Sequence, residues 1–502
     1  MHRLAIAAAL AFLVQQAAAP PLDVSEKSIR DLDQAMASGT ATSRQLTEAY
    51  LARIAAYDQR GPALDAIIAT NPRARDEADA LDRERAAGRV RGPLHGIPLL
   101  VKDNYDTIDL PTTAASVALK GSMAGRDAFQ VKKLRDAGAV ILGKTNLHEF
   151  ARGITTISSL GGQTRNPYDP TRNPGGSSGG TGAAVAASFA AAGLGTDTCG
   201  SIRYPAASNN LVGIRPTLGL SSRSGIVPLS HSQDVGGPLG RTVTDVALLL
   251  DATVGADPDD PTTAAARATP GYVAHLDPNA LRGARLGVLL PYFGDSSDDQ
   301  RAGSVVRNAV REMAAAGART SDVGSAELPT ETDGVNIIRY EFKFDLNDYL
   351  KKTPEAPVRT LADVLALHVV HPSLETALRR SDEVTTLDSD EYRAIVARHA
   401  ALRAALIALL DREQAVALVY PTLRRTPAKI GEPQAGGNCA ASAATGLPAV
   451  TVPAGFADDG MPVGVELLGR PFSEADLLAL AYSYEQATHH RRPPPLTPPL
   501  TR

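Results

Sequence analysis

The sequence predicts an α/β fold: a β-sheet covered by helices on both faces. Three observations predict it. Short apolar runs bounded by turn residues, such as "GIPLLVKDN" at 96–104, have the length and punctuation of buried strands. They alternate with segments of helical periodicity, the pattern of a layered α/β domain. A content of 43 glycines with 4% aromatic residues and no tryptophan suits a core of small aliphatic side chains with many tight turns. The 502 residues suffice for one large domain or two ordinary ones.

The elements follow in order. "MHRLAIAAALAFLVQQAAAP" places Arg3 before an apolar run from Leu4 to Val14 and small residues from Ala17 to Ala19, so residues 1–19 are expected to be a secretory signal peptide. The run is short of the ~20 residues that a membrane span needs. The mature protein is therefore expected to be exported, periplasmic or extracellular, with no stable membrane span. Ser28 with Asp31, and Thr42 with Gln45, are capping boxes. After the second, Leu46, Ala49, Tyr50, Ile54 and Tyr57 recur at helical spacing. "FQVKKLRDAGAVILGKTN" reads as a helix stopped at Gly138, a strand from Ala139 to Leu142, and a loop. From about 257 to 428, charged helical stretches make a more irregular, helix-rich region. The apolar runs "LPAVTVPAGF" and "MPVGVELLG" follow, then an amphipathic helix ending near His489 and His490. Residues 24–492 are read as the functional domain, and 493–502 as a proline-rich, extended and solvated tail.

A net charge of −4, from 51 basic and 55 acidic residues, argues against a nucleic-acid partner. The ten histidines form no H-E-x-x-H, and His368 and His371 read as a helix end, so no metal is expected. Cys199 and Cys439, the two cysteines, cannot make a disulfide framework, although export permits one bond.

The chemistry sits in "NPGGSSGGTGAAVAASFAAAGLGTDTCGSIRYPA", residues 173–206. A P-loop is excluded because no lysine follows the glycines. "GGSSG" matches the nucleophile elbow of α/β-hydrolases with Ser177 central, but that elbow must follow a strand, and "RNPYDPTRNP" is a run of turn formers. Two glycine turns flanking a helix, with Ser201 as a helix N-cap and Lys102 as a surface lysine, is the purely structural alternative.

This stretch, together with "GIPLLVKDN", closely resembles the amidase signature family of serine amidohydrolases. Ser177 lies 75 residues after Lys102, and Ser201 lies 24 after Ser177, as in that family's pattern. "GKTNLHEFA", "LVGIRPTLGLSSRSGIVPLS" and "GPLGRTVTDVALLLD" extend the similarity, which is weakest between 257 and 428. The resemblance implies an α/β/α sandwich with a large mixed sheet and a Ser-Ser-Lys triad: Ser201 as nucleophile, Ser177 as bridge and Lys102 as base. It gives the backbone of Thr198, Cys199, Gly200 and Ser201 to an oxyanion, with Asp197, Arg203 and Ser178 as supports. Asp197 and Arg203 would either hold this turn from behind or form an ordinary surface ion pair.

The chemistry suits these residue types. A lysine with an ordinary pKa near ~10.4 is neutral in roughly one molecule per thousand or fewer at pH 7, so a base needs burial, which Ile97 to Val101 offer. Cys199 departs from the glycine most common there; a bond to Cys439 would pin the turn, and two free thiols are the alternative.

The resemblance implies hydrolysis of a small-molecule or peptide amide through an acyl-enzyme, with no cofactor. Stretches such as "RYEFKFDLNDYL" are most similar to peptide-amidase-type members. Aryl acylamidase or esterase activity on the same triad, an α/β-hydrolase-type esterase using Ser177, and a non-catalytic binding protein are the competing functions. The oligomeric state has no signal in the sequence.

Overall fold

In the computed structural model, which describes residues 22–266, 271–324, 328 and 333–500, both capping boxes form. Ser28 and Asp31 cap the helix Ile29–Ala37, and Thr42 and Gln45 cap Ser43–Tyr57. The second helix buries Leu46, Tyr50 and Ile54, the face that its periodicity predicts. The expected signal peptide lies outside the described residues. Among them, no helix is long and apolar enough to cross a membrane.

The strands are β1 (Ile67–Thr70), β2 (Pro98–Lys102), β3 (Val140–Thr145), β4 (Ile157–Ser158) and β5 (Gly162–Gln163). They continue with β6 (Ala192–Asp197), β7 (Val212–Arg215), β8 (Val235–Gly240), β9 (Arg285–Leu289) and β10 (Arg319–Val323). β11 (Ala417–Pro421), β12 (Ala449–Phe456) and β13 (Pro462–Leu468) complete them. β4 and β5 form a small ribbon, and the other eleven make one sheet in the order β1-β3-β2-β6-β8-β7-β12-β13-β11-β9-β10. The sheet is mixed. β2 runs parallel to β3 and β6, and β9 to β10 and β11, whereas β6–β8 and β12–β13 are antiparallel. Every residue of β2, β3, β6, β7, β8, β11 and β13 is buried, so helices and loops cover both faces. The expected fold class is the one observed.

Two boundaries differ from expectation. β3 runs past Leu142 through Gly143 and Lys144, residues that read as a loop. A side chain at 143 would meet the Ala69 carbonyl oxygen at 2.4 Å, so glycine lets β1 pair closely, and Lys144 is buried because it meets Asp103 at 2.8 Å. The helix-rich region also supplies β9, β10 and β11; β10 is an edge strand exposed at four of its five residues and carries no apolar alternation.

The remainder of that region is a helical cover: Asp333–Lys351, Leu361–Ala366, Pro372–Asp382 and Asp390–Arg412. Phe342, Leu346, Leu350, Leu374 and Leu378 from it pack on Leu119, Leu147, Phe150 and Leu229. The tail is mostly exposed over its described part, as expected, but it is also anchored. Buried Arg53 donates to the carbonyls of Thr497 at 2.7 Å and Pro498 at 3.0 Å, and Thr497 is buried. A lone arginine in an amphipathic helix gives no sign of that clamp.

Candidate active site

β2 and β6 are parallel neighbours, with Leu99–Val101 opposite Ala192–Leu194. Lys102 and Asp197, their last residues, therefore emerge at one sheet edge, at carboxyl ends of strands, where open α/β sheets bind ligands. The loop from Gly175 to Ser178 leads into the helix Gly179–Ala186, which packs on β2, β3 and β6. Residues 164–176 before Ser177 hold turns and one isolated bridge at Arg172, with no strand, so the elbow geometry is absent there.

Lys102 is fully buried, and its Nζ donates to Ser177 Oγ at 2.7 Å and to Thr196 Oγ1 at 2.7 Å. Asn104 Nδ2 donates to the same threonine oxygen at 3.0 Å, which orients that hydroxyl. Lys144, equally buried, has a carboxylate beside it; Lys102 meets hydroxyls instead. Desolvation accordingly pulls the Lys102 pKa down to about 7, against the opposing pull of Asp197 and Asp234. The surface-lysine reading does not hold.

Ser178, after Ser177, donates its N–H to the Ser201 carbonyl at 3.2 Å, which seats the turn 198–201 against the glycine-serine loop. Its hydroxyl bridges both backbone groups of Thr196 at 3.2 Å. Ser201 does not cap a helix: Ile202 is the N-cap residue of Arg203–Ser208. Asp197 holds the turn from behind. It accepts from the N–H groups of Gly200 (2.8 Å) and Ile202 (3.1 Å), from Arg203 Nε (3.1 Å) and from Arg215 Nη1 (3.1 Å). Burial opposes its charge, but the two guanidiniums hold its carboxyl well below the usual range. Asp197 and Arg203 are thus a buried structural pair and not a surface one.

The N–H of Gly200 is committed to Asp197, which leaves those of Thr198, Cys199 and Ser201 as the donors that the turn can offer an oxyanion. Gly200 has φ +87°, and a Cβ there would fall 2.5 Å from the Tyr204 ring, so glycine is required at this position. Cys199 tolerates a side chain because its sulfur is bonded to Cys439, with Cα atoms 5.0 Å apart. Both cysteines, Ser201 and Thr198 line a cavity of about 520 Å³, otherwise largely apolar, with Ile154, Leu229, Ile338 and Ala377 in its wall. A second cavity of about 340 Å³ shares Ala151, Thr198 and Leu229 with it and is more polar.

A sequence model of the family described as Amidase matches residues 45–478. The chain belongs to the amidase family. Hydrolysis of an amide C–N bond is its reaction. The amidase is 37% identical over 497 residues to an Arabidopsis thaliana protein named "Probable amidase", covering 94% of this chain and 92% of that one. It is 35% identical to a component of the glutamyl-tRNA(Gln) amidotransferase of Thermosynechococcus vestitus, across 93% and 99% of the two chains. Among solved structures, the native peptide amidase of Stenotrophomonas maltophilia superposes with a TM-score of 0.87 at 42% identity, across 94% of this chain and 98% of that one.

Sequence reasoning missed several residues that this amidase places at the site. Thr196, which accepts from Lys102, and Asn104, which donates to Thr196, lie inside the quoted motifs, where their hydroxyl and amide were the available signal. Arg215 lies inside the quoted "LVGIRPTLGLSSRSGIVPLS", whereas Glu466 lies far along the chain and completes the buried charge group by pairing with Arg203. His148 donates its backbone N–H to the Ser177 carbonyl at 3.0 Å, and desolvation, with smaller effects from His371 and Lys102, pushes its imidazole pKa down to about 3. It is a neutral neighbour of Lys102.

Proposed function

We propose that this amidase is exported and hydrolyses linear carboxylic amides, peptide C-terminal amides among them, through a Lys102–Ser177–Ser201 relay. The observation that carries the reading is a carboxylate-free buried lysine, with a pKa near 7, bonded to Ser177 at 2.7 Å beside the Ser201 turn. Neutral Lys102 takes the Ser177 proton as Ser177 takes that of Ser201, whose oxygen attacks the amide carbonyl. The N–H groups of Thr198, Cys199 and Ser201 would receive the oxyanion, each worth about 3 kcal/mol of barrier. The proton then returns through Ser177 to the departing nitrogen, so ammonia or an amine leaves and an ester to Ser201 remains. Water attacks that ester by the same relay and frees the acid and Ser201.

Likeness to a peptide amidase at 42% identity supports the substrate class, and residues 1–19 support export. Ammonia release from peptide amides and simple aliphatic amides tests the reading. Ser201→Ala is expected to lower kcat by ~10⁴-fold or more; a variant with native turnover overturns the mechanism. Transfer of ammonia only in the presence of partner proteins would favour a role within an amidotransferase complex instead.

A further inference from the structure

We propose that Arg152 selects amides whose acyl portion carries a terminal carboxylate. The proposal rests on Ser201 being the reacting residue, because both line the same cavity of about 520 Å³. Among the described residues of that wall, which include Ala151, Ile154, Leu229, Ile338 and Ala377, Arg152 is the one that carries a charge.

Its hydrogen bonding is incomplete. Nη2 donates to the Ala377 carbonyl at 3.3 Å, the guanidinium carbon lies 5.4 Å above the Phe342 ring, and Nη1 is buried with no acceptor among the described residues. Among the described residues, the buried arginines Arg215 and Arg241 lack an acceptor only at Nε and have both Nη atoms bonded, and three others are matched at every nitrogen. Arg203 has Asp197 and Glu466, Arg491 has Glu26, and Arg53, which lacks a carboxylate, is ringed by four carbonyls. Arg152 has no ion-pair partner among the described residues. Desolvation draws its pKa down to about 10, and it remains a cation at neutral pH.

A buried charged donor without an acceptor is costly, and a ligand that brings the acceptor removes that cost. To meet a ligand in the cavity, Nη1 has to rotate about the outer side-chain bonds toward the wall that Arg152 already forms. The planar guanidinium fork fits a carboxylate with two parallel bonds. Apolar walls between Ser201 and Arg152 would take a methylene chain, and the volume is that of an ordinary small-molecule site. The substrate class is therefore an amide with an apolar acyl chain ending in a carboxylate, such as the monoamide of a straight-chain dicarboxylic acid.

The test compares such monoamides with ω-hydroxy amides of equal length. The native enzyme is expected to favour the carboxylate at least tenfold in kcat/KM. Arg152→Gln should lower that ratio ~10–100-fold, and Arg152→Lys, which keeps the charge and loses the fork, should fall between; circular dichroism checks that both fold. Calorimetric binding of the same two compounds to the Ser201→Ala protein reads selection without turnover. Equal native ratios, or a ratio that Arg152→Gln leaves in place, overturn the proposal even when both amides are hydrolysed. Tighter carboxylate binding that Arg152→Gln abolishes, with no turnover by the native enzyme, would sustain the selection by Arg152 and count against the hydrolytic reading instead.

Discussion

The cavity around Ser201 has two walls made in different ways. One wall comes from strand ends and turns: Thr198, Cys199 and Ser201 follow β6, and behind them Asp197, Arg203, Arg215 and Glu466 form a fully buried charge group. The other wall includes Ile338 and Ala377 of the helical cover, which an apolar cluster holds down. One face of the helix Asp333–Lys351 adds polar attachments at every fourth residue. Glu341 accepts from the Ser230 and Ser232 hydroxyls, Asp345 pairs with His231, and the Tyr349 hydroxyl donates to Asp106 at 2.6 Å. The proton transfer proposed through two hydroxyls requires fixed distances, which a buried network is suited to supply. Apolar packing tolerates changes in shape, so selection can change on the cover without disturbing the relay. The proposed relay and the proposed selection should thus be separable by mutation.

The sharpest way to break that separation is at Lys102. Lys102→Ala should lower kcat by ~10³-fold or more while leaving the ranking of substrates in place. In the proposed relay the base must be neutral. With a pKa near 7 it is half neutral at pH 7, so kcat/KM should fall about tenfold per unit below that point and level off above it. A pH profile flat from 5 to 9 would remove Lys102 as the titrating base, and a reordering of substrates in Lys102→Ala would show that the two walls are not independent.

A smaller effect is expected at the disulfide, which ties the Ser201 turn to a segment 240 residues away. Removing a link that closes so long a loop by Cys439→Ser should cost about 5 kcal/mol in denaturant unfolding, by the loop-entropy account of cross-links. Dithiothreitol should lower native stability by a similar amount and leave Cys439→Ser unaffected. If the bond also steadies the oxyanion donors, kcat falls with little change in KM. A KM change alone would move the bond's role from the turn to the cavity wall.

How much of this was legible follows from range along the chain. Lys102, Ser177 and Ser201 stand inside motifs whose residue types announce chemistry, and the capping boxes and β2 are local patterns, so all were readable. The fate of Asp197 was not, because it depends on Arg215 and Glu466, which join it only when β6, β7 and β13 take their places in the sheet. Arg53 and Lys144 carry no local mark of burial, because what accompanies it, carbonyls of the tail and the Asp103 carboxylate, is distant in sequence. Arg152, in "EFARG", had no signal either, since what marks it is a missing acceptor. β9 to β11 were hidden by the charged helices around them.

The smallest expected effect lies where the cover meets the sheet edge, at His231. Its hydrogen bond to Asp345, aided by Glu341 and opposed by burial and Arg223, raises its pKa above the ordinary histidine value. A histidine raised by folding contributes stability that is fully present below its unfolded pKa, near ~6.5, and lost as pH rises through the folded value. The cover should therefore dock more firmly in mild acid, the range in which Lys102 is losing its neutral form, so the two walls respond to pH in opposite directions. Because the His231 side chain is 47% exposed, salt and solvent keep the effect modest. The Tm difference between native protein and His231→Gln should shrink as pH is raised from 6 to 8, while the pH limb assigned to Lys102 stays where it is in both proteins. A difference that is constant with pH would remove His231 from the attachment of the cover, and a displaced limb would mean that the cover tunes the base.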